Sequence, residues 1–154
     1  DDGLLAARRL VTMSTGVYAS PHYLAERGTP QSPQDLLQHQ AVRLLGGNGE
    51  PVPWRLLSGG QDWVGLPPGR FAANAPDLLL RLVIAGTGIG AIPDVFAQAD
   101  VRRNALVRVL PDWRPVGAFA ETIYAIRPYA PHVPRAVTAL VAHLRAGLAG
   151  GFAA

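Results

Sequence analysis

Apolar positions are packed most densely between Gly69 and Pro93, and the rest of the chain is organised around that stretch. Arg70 to Ala73 is a short extended run. Pro76 and Asp77 are helix-start residues, Leu78 to Ala85 is apolar except at Arg81, and Gly86 stands where a left-handed turn would close a helix. That helix is expected to be mostly buried. Ile89 to Pro93 is too short and too β-branched for a second helix and suits a buried strand, so the stretch predicts a βαβ crossover in an α/β domain. The helix N-terminus around Asn74 to Asp77 then faces the end of the preceding strand, where doubly wound folds bind ligands.

On either side the pattern is more broken. Leu4 to Val11 opens the chain and runs, without a stop signal, into a long extended segment ending at Ser20. Pro21 starts a short surface helix through Arg27, closed by Gly28. Ser32-Pro33-Gln34-Asp35 starts a second, to about Gln38, with Ser32 as its N-cap. Gln40 to Leu45 is a strand, Gly46 to Gly49 a turn, and Pro53 to Leu57 and Asp62 to Leu66 flank a second turn at Ser58 to Gln61. The region reads as hairpins anchored by Trp54 and Trp63. Asp94 is expected to cap a helix to about Arg102. Ala105 to Leu110 alternates as a strand that Pro111 stops, and Pro111 to Pro115 is a rigid loop. Thr122 to Arg127 is the last strand. Val133, Val137, Leu140, Val141, Leu144 and Leu148 mark one face of a C-terminal helix, after which the tail from Gly147 to Ala154 is expected to fray.

Composition narrows the function classes. The 154 residues amount to one domain, 49% hydrophobic and 16% charged, and no apolar run approaches the roughly 18 residues of a membrane span. Without Cys there is no disulfide or thiolate chemistry, and Asp1-Asp2-Gly3 is not the basic start of a signal peptide, so a cytoplasmic location is expected. All 14 basic residues are Arg, and they are dispersed apart from the pairs Arg8-Arg9 and Arg102-Arg103. With a net charge of +3 they do not form a phosphate-tracking surface.

The chain offers no Gly-x-Ser-x-Gly elbow, Walker sequence or His-Glu-x-x-His, and His22, His39, His132 and His143 lie far apart. No catalytic centre, metal site or cofactor is expected. Gly86-Thr87-Gly88-Ile89-Gly90 follows a helix and opens a strand, the reverse of a dinucleotide fingerprint, so these glycines cap the helix and let the backbone pass close to its neighbour. Asn74 carries two readings, a turn or cap residue and a ligand contact beside open helix N–H groups, and Ser20 before Pro21 carries the same two. Trp54, Trp63 and Trp113 lack an accompanying basic cluster and read as packing residues.

An ordered series of short matches then becomes specific. Ala7-Arg8-Arg9-Leu10, Val17-Tyr18-Ala19-Ser20-Pro21-His22-Tyr23-Leu24, Gly28-Thr29-Pro30, Pro33-x-Asp35-Leu36 with His39, Trp54-x-Leu56, Gly69-Arg70-Phe71-x-Ala73-Asn74, Ala85-Gly86-x-Gly88-Ile89-Gly90-x-x-Pro93, Leu106 to Trp113 and Tyr124-Ala125-Ile126-x-Pro128 together resemble the effector-binding domain of LysR-type transcriptional regulators. The resemblance spans about residues 4 to 146. Arg102-Arg103-Asn104 departs from it, standing where many members have a Gly.

This resemblance implies a periplasmic-binding-protein-like (type 2) α/β fold, with two subdomains joined by crossing strands and a small effector in the cleft between them. On that pattern residues 1–16 are part of the first subdomain with a crossing strand, 17–118 the second subdomain, 119–146 the return strand and C-terminal helix, and 147–154 a flexible tail. The family's N-terminal helix-turn-helix, linker helix and first half-subdomain are not in this chain, so no operator binding is expected of it. The exposed apolar face that results is expected to be covered by self-association, by exchange of elements or by partial disorder. The effector site is placed at Ser20, Gly46, Asn74, Ala75, Gly88 and Ile89, and a carboxylate would suit the helix N-terminus near Asn74. The alternative reading is a transporter's solute-binding protein with the same fold. An enzyme is the least supported, since no nucleophile or acid–base pair is in evidence.

Overall fold

The computed structural model describes residues 5–149. Leu4 and the tail beyond Ala149, both included in the expectations above, lie outside the described residues.

The opening extended segment is two strands in two sheets. Strand β1 (Leu5–Thr12) pairs antiparallel with the last strand, Thr122–Pro128, while β2 (Thr15–Ala19) enters a five-stranded sheet. The break at Met13–Ser14 has a simple cause: the Met13 N–H donates to the Glu121 carbonyl at 2.8 Å, whereas the Ser14 carbonyl accepts from the Asp94 N–H at 2.9 Å. Each residue thus belongs to a different sheet.

The five-stranded sheet also holds β3 (Ala41–Leu44), β6 (Phe71–Ala73), β7 (Ile89–Pro93) and β8 (Val107–Val109), in the order β6-β3-β7-β2-β8. β6, β3 and β7 are parallel, and β2 is antiparallel to both β7 and β8. The expected βαβ crossover is present, with β3 between its two strands. A smaller antiparallel sheet joins β4 (Trp54–Ser58), β5 (Gln61–Gly65) and β9 (Arg114–Val116), in the order β5-β4-β9. Gly59 and Gly60, both at positive φ, form the turn between β4 and β5. β3 and β4 are not a hairpin; they belong to different sheets, and the segment between them is tied by a single bridge, Leu45 to Pro51.

The loop expected at Pro111 to Pro115 gives way to β9, because an edge strand tolerates the missing N–H of Pro115. Leu110, at φ 50°, lies outside β8, so that strand is shorter than its alternation suggested.

The large sheet is packed on both faces. Val17 and Ala19 turn to one core with Leu36, Trp54, Leu56, Ile89 and Val109, and Trp63 and Trp113 pack against it as expected. Tyr18, between them in sequence, turns to the other core with Val42, Leu79, Val83, Ile92 and Leu106. Helix α1 (Pro21–Arg27) and a 3-10 helix (Pro33–Gln38) contribute Tyr23 and Leu36 to the first core. Ser32 is the N-cap of the 3-10 helix, as expected, and the Asp35 carboxylate reaches back to accept from the N–H groups of Gln31 and Ser32. Helices α2 (Pro76–Ile84) and α3 (Asp94–Arg102) cover the second core.

Helix α2 is more amphipathic than its run of leucines implied. Leu79 and Val83 are buried, Leu80, Leu82 and Ile84 are half-buried, and Leu78 is 45% exposed. A nine-residue helix lying on a sheet turns only one stripe inward. Its end is as expected: Gly86 at φ 76° and Thr87 donate to the carbonyls of Val83 and Leu82, closing the helix. Asp94 does not cap α3. It lies in the first turn after Pro93, buried, and its carboxylate accepts the Tyr18 hydroxyl at 2.7 Å. Helix α4 (Arg135–Gly147) lies against β1 and lines a hollow with it and β10 (Thr122–Pro128), yet none of its residues is buried.

Candidate functional site

Strand direction decides which of the expected site residues can meet. β3, β6 and β7 run the same way, so their C-terminal ends share one rim of the sheet and their N-terminal ends the other. The C-terminal rim faces the side on which the chain crosses to β1 and β10, through the Met13–Glu121 and Ser14–Asp94 hydrogen bonds.

Gly46, Asn74 and Ala75 lie on that crossing-side rim. The Leu45 N–H donates to the Ala73 carbonyl at 2.9 Å, which carries the ends of β3 and β6 side by side into Gly46 and Asn74. Asn74 is exposed, and Ala75 holds the N-cap position of α2 with no side chain bonded across the helix start. Pro76 has no N–H, and the first intrahelical bond runs from Leu79 to the Ala75 carbonyl, so the N–H groups of Asp77 and Leu78 are left open.

Ser20, Gly88 and Ile89 lie on the opposite rim. Ser20 follows β2, which runs against β7, and Gly88 and Ile89 precede and begin β7. Six residue steps of β3 and its extensions, Gln40 to Gly46, separate the rims by roughly 20 Å. Ser20 is buried and caps α1, its hydroxyl accepting from the Tyr23 N–H at 3.2 Å. A Cβ on Gly88 would come within 2.4 Å of the Gln40 carbonyl oxygen, which accepts from the Ile89 N–H at 2.8 Å. The glycine is there because two backbones touch.

Comparison with known proteins decides the family. The family model described as the LysR substrate binding domain matches residues 1–149. The chain belongs to this family.

Among its relatives, a probable helix-turn-helix-type transcriptional regulator, LtrA of Klebsiella pneumoniae, is 29% identical over 94% of this chain and 50% of its own length. The helix-turn-helix-type regulator PtxR of Pseudomonas aeruginosa is 31% identical over 94% and 45%. The chain thus spans about half the length of such curated relatives. The solved regulatory domain of CrgA, a LysR-type transcriptional regulator from Neisseria meningitidis, is 27% identical with a TM-score of 0.78, over 96% of this chain and 71% of that one. The regulatory domain of AphB from Vibrio vulnificus is 29% identical with a TM-score of 0.77, over 92% and 68%. The fold is periplasmic-binding-protein-like α/β, and the family is one of transcriptional regulator domains rather than an enzyme class.

Within this LysR substrate-binding domain the structure adds a buried polar cluster that sequence reasoning missed. Tyr18 on β2 donates to Asp94, and Arg108 on β8 brings Nη1 to 3.9 Å from the Asp94 Oδ2. Burial, reinforced by the Asp94 carboxylate, raises the Tyr18 pKa, so the phenol stays protonated and donating. Tyr18 and Asp94 are 76 positions apart, and no local spacing could have paired them. The cluster sits under the crossing-side rim, where the Asp94 N–H reaches Ser14. Among the described residues no cluster of three or more His, Cys, Asp or Glu could hold a metal ion, and no helix is long and apolar enough to cross a membrane.

Proposed function

We propose that this chain is the effector-sensing part of a cytoplasmic LysR-type transcriptional regulator and takes a small carboxylate at the crossing-side rim, on Gly46, Asn74 and Ala75. One observation carries the reading. That rim combines the ends of two parallel strands with a helix start whose Asp77 and Leu78 N–H groups have no capping side chain, an arrangement suited to an anion. Residues 17–118 form the subdomain presenting this rim, 1–16 and 119–146 belong to its partner subdomain, and the effector lies between the two. The module has no catalysis of its own and regulates DNA binding by a helix-turn-helix domain in the longer protein. A transporter's solute-binding protein is disfavoured, since the named relatives are transcriptional regulators.

The face formed by β1, β10 and α4 leaves Ile126, Leu140 and Leu144 63, 58 and 39% exposed around a hollow of about 470 Å³. Such a patch associates, and the isolated chain forms dimers or larger species through it; sedimentation as a monomer at micromolar concentration would contradict this.

The effector proposal is tested by adding small carboxylates to the ¹⁵N-labelled chain. The amides of Gly46, Ala75, Asp77 and Leu78 are expected to shift, and Asn74→Ala to weaken the response. Responses confined to α4 would overturn the placement.

A further inference from the structure

The other rim of the sheet carries a hollow of about 400 Å³ that the effector reading does not use. Its floor is rigid and already satisfied. The Tyr23 hydroxyl accepts from the Gln40 N–H at 2.9 Å and is hydrogen-bonded to His39 Nδ1 at 3.1 Å. Burial lowers the pKa of His39, which favours the neutral ring. The Thr87 hydroxyl is committed as a donor to the Leu82 carbonyl at 2.8 Å.

What remains uncommitted in the wall is cationic. Arg27 and Arg70 are both exposed, and among the described residues neither guanidinium has an ion-pair or hydrogen-bond partner. The single acidic residue there, Glu26, is turned to His22, with Oε1 3.5 Å from Nε2. Beside Arg70 the Phe71 ring is 44% exposed at the end of an edge strand, a flat apolar surface next to the charge.

A ligand here meets guanidinium donors with no acceptor capacity, the unbonded carboxamide of Gln40, and a ring face. That combination selects an acceptor-rich head on a flat apolar body. We propose that this hollow binds a small organic oxyanion, held by Arg27 and Arg70 and stacked against Phe71, at a site separate from the effector rim. The inference does not rest on the effector reading, because the two rims share no lining residue.

The test titrates the ¹⁵N-labelled 154-residue chain with phenyl phosphate and, as an uncharged counterpart, benzyl alcohol. Saturable shifts of the Gln40, Phe71 and Thr87 amides are expected with phenyl phosphate. In the double variant Arg27→Gln, Arg70→Gln the affinity should fall at least roughly tenfold, the loss of one good charge-assisted contact. Both arginines are exposed, so an unchanged thermal melt shows that the fold is retained. Equal binding of benzyl alcohol, undiminished binding by the double variant, or shifts confined to Asn74, Ala75 and Asp77 would each overturn the site.

Discussion

Truncating Leu79 to Ala gives the sharpest measure of how helix α2 is held. The side chain is 1% exposed and packs in the core with Tyr18, Val42, Val83 and Ile92. Three buried carbons are removed, worth about 2.4 kcal/mol at about 0.8 kcal/mol each. Val42, Val83 and Ile92 in the same core are β-branched and stiff, so the hole closes only in part and a cavity contribution brings the loss to about 3–4 kcal/mol. For a chain of this size that lowers the melting temperature by about 6–16 °C. Leu78, one residue earlier and 45% exposed, supplies the internal control: the same truncation should cost under about 1 kcal/mol. Half-buried Leu80 and Leu82 should fall between, at about 1–2 kcal/mol. Urea denaturation and thermal melts of the four variants measure the order. Equal losses at Leu78 and Leu79 would mean that α2 does not dock through the stripe described.

Two other perturbations follow from the far rim. Gly88→Ala drives a Cβ into the Gln40 carbonyl and should cost about 1–3 kcal/mol by prising β3 from β7, measurable by the same melts; a neutral effect would contradict the close approach. Because His39 has a lowered pKa in the fold, the unfolded chain binds the proton more readily. Its stabilising contribution is complete above the unfolded value of about 6.5 and is lost as pH falls through the lower folded value. Melts between pH 7 and 4 should show this loss, and His39→Asn should flatten that part of the profile; an unaltered profile would rule His39 out as its source.

How much of this was legible beforehand depended on whether the cause was local. Pro76 and Gly86 act within a turn of themselves, and they set the limits of α2 correctly. Pro115 misled because a ring that blocks one hydrogen bond excludes a residue only from interior strands, and nothing nearby in sequence says that β9 is at an edge. The candidate site divided for a related reason. Ser20, Asn74 and Gly88 all stand beside strand ends, but the rim each occupies depends on strand direction and on coming before or after the strand. Asn74 follows a parallel strand, Gly88 precedes one, and Ser20 follows the antiparallel β2. Residues that follow parallel strands all fall on one rim, and that rule also leads through Pro93 to Asp94.

Strand β3 has a further consequence. It is hydrogen-bonded on both sides, to β6 and β7, and its two ends enter opposite rims at Gln40 and at Gly46. No small molecule reaches both ends, so binding at the two proposed sites would be two separate equilibria joined by one strand. If binding at one rim changes the affinity at the other, the second ligand must change the first by the same factor, whichever arrives first. Measuring either dissociation constant with the other ligand present and absent gives the sign and size of that coupling from both directions, and the two values must agree.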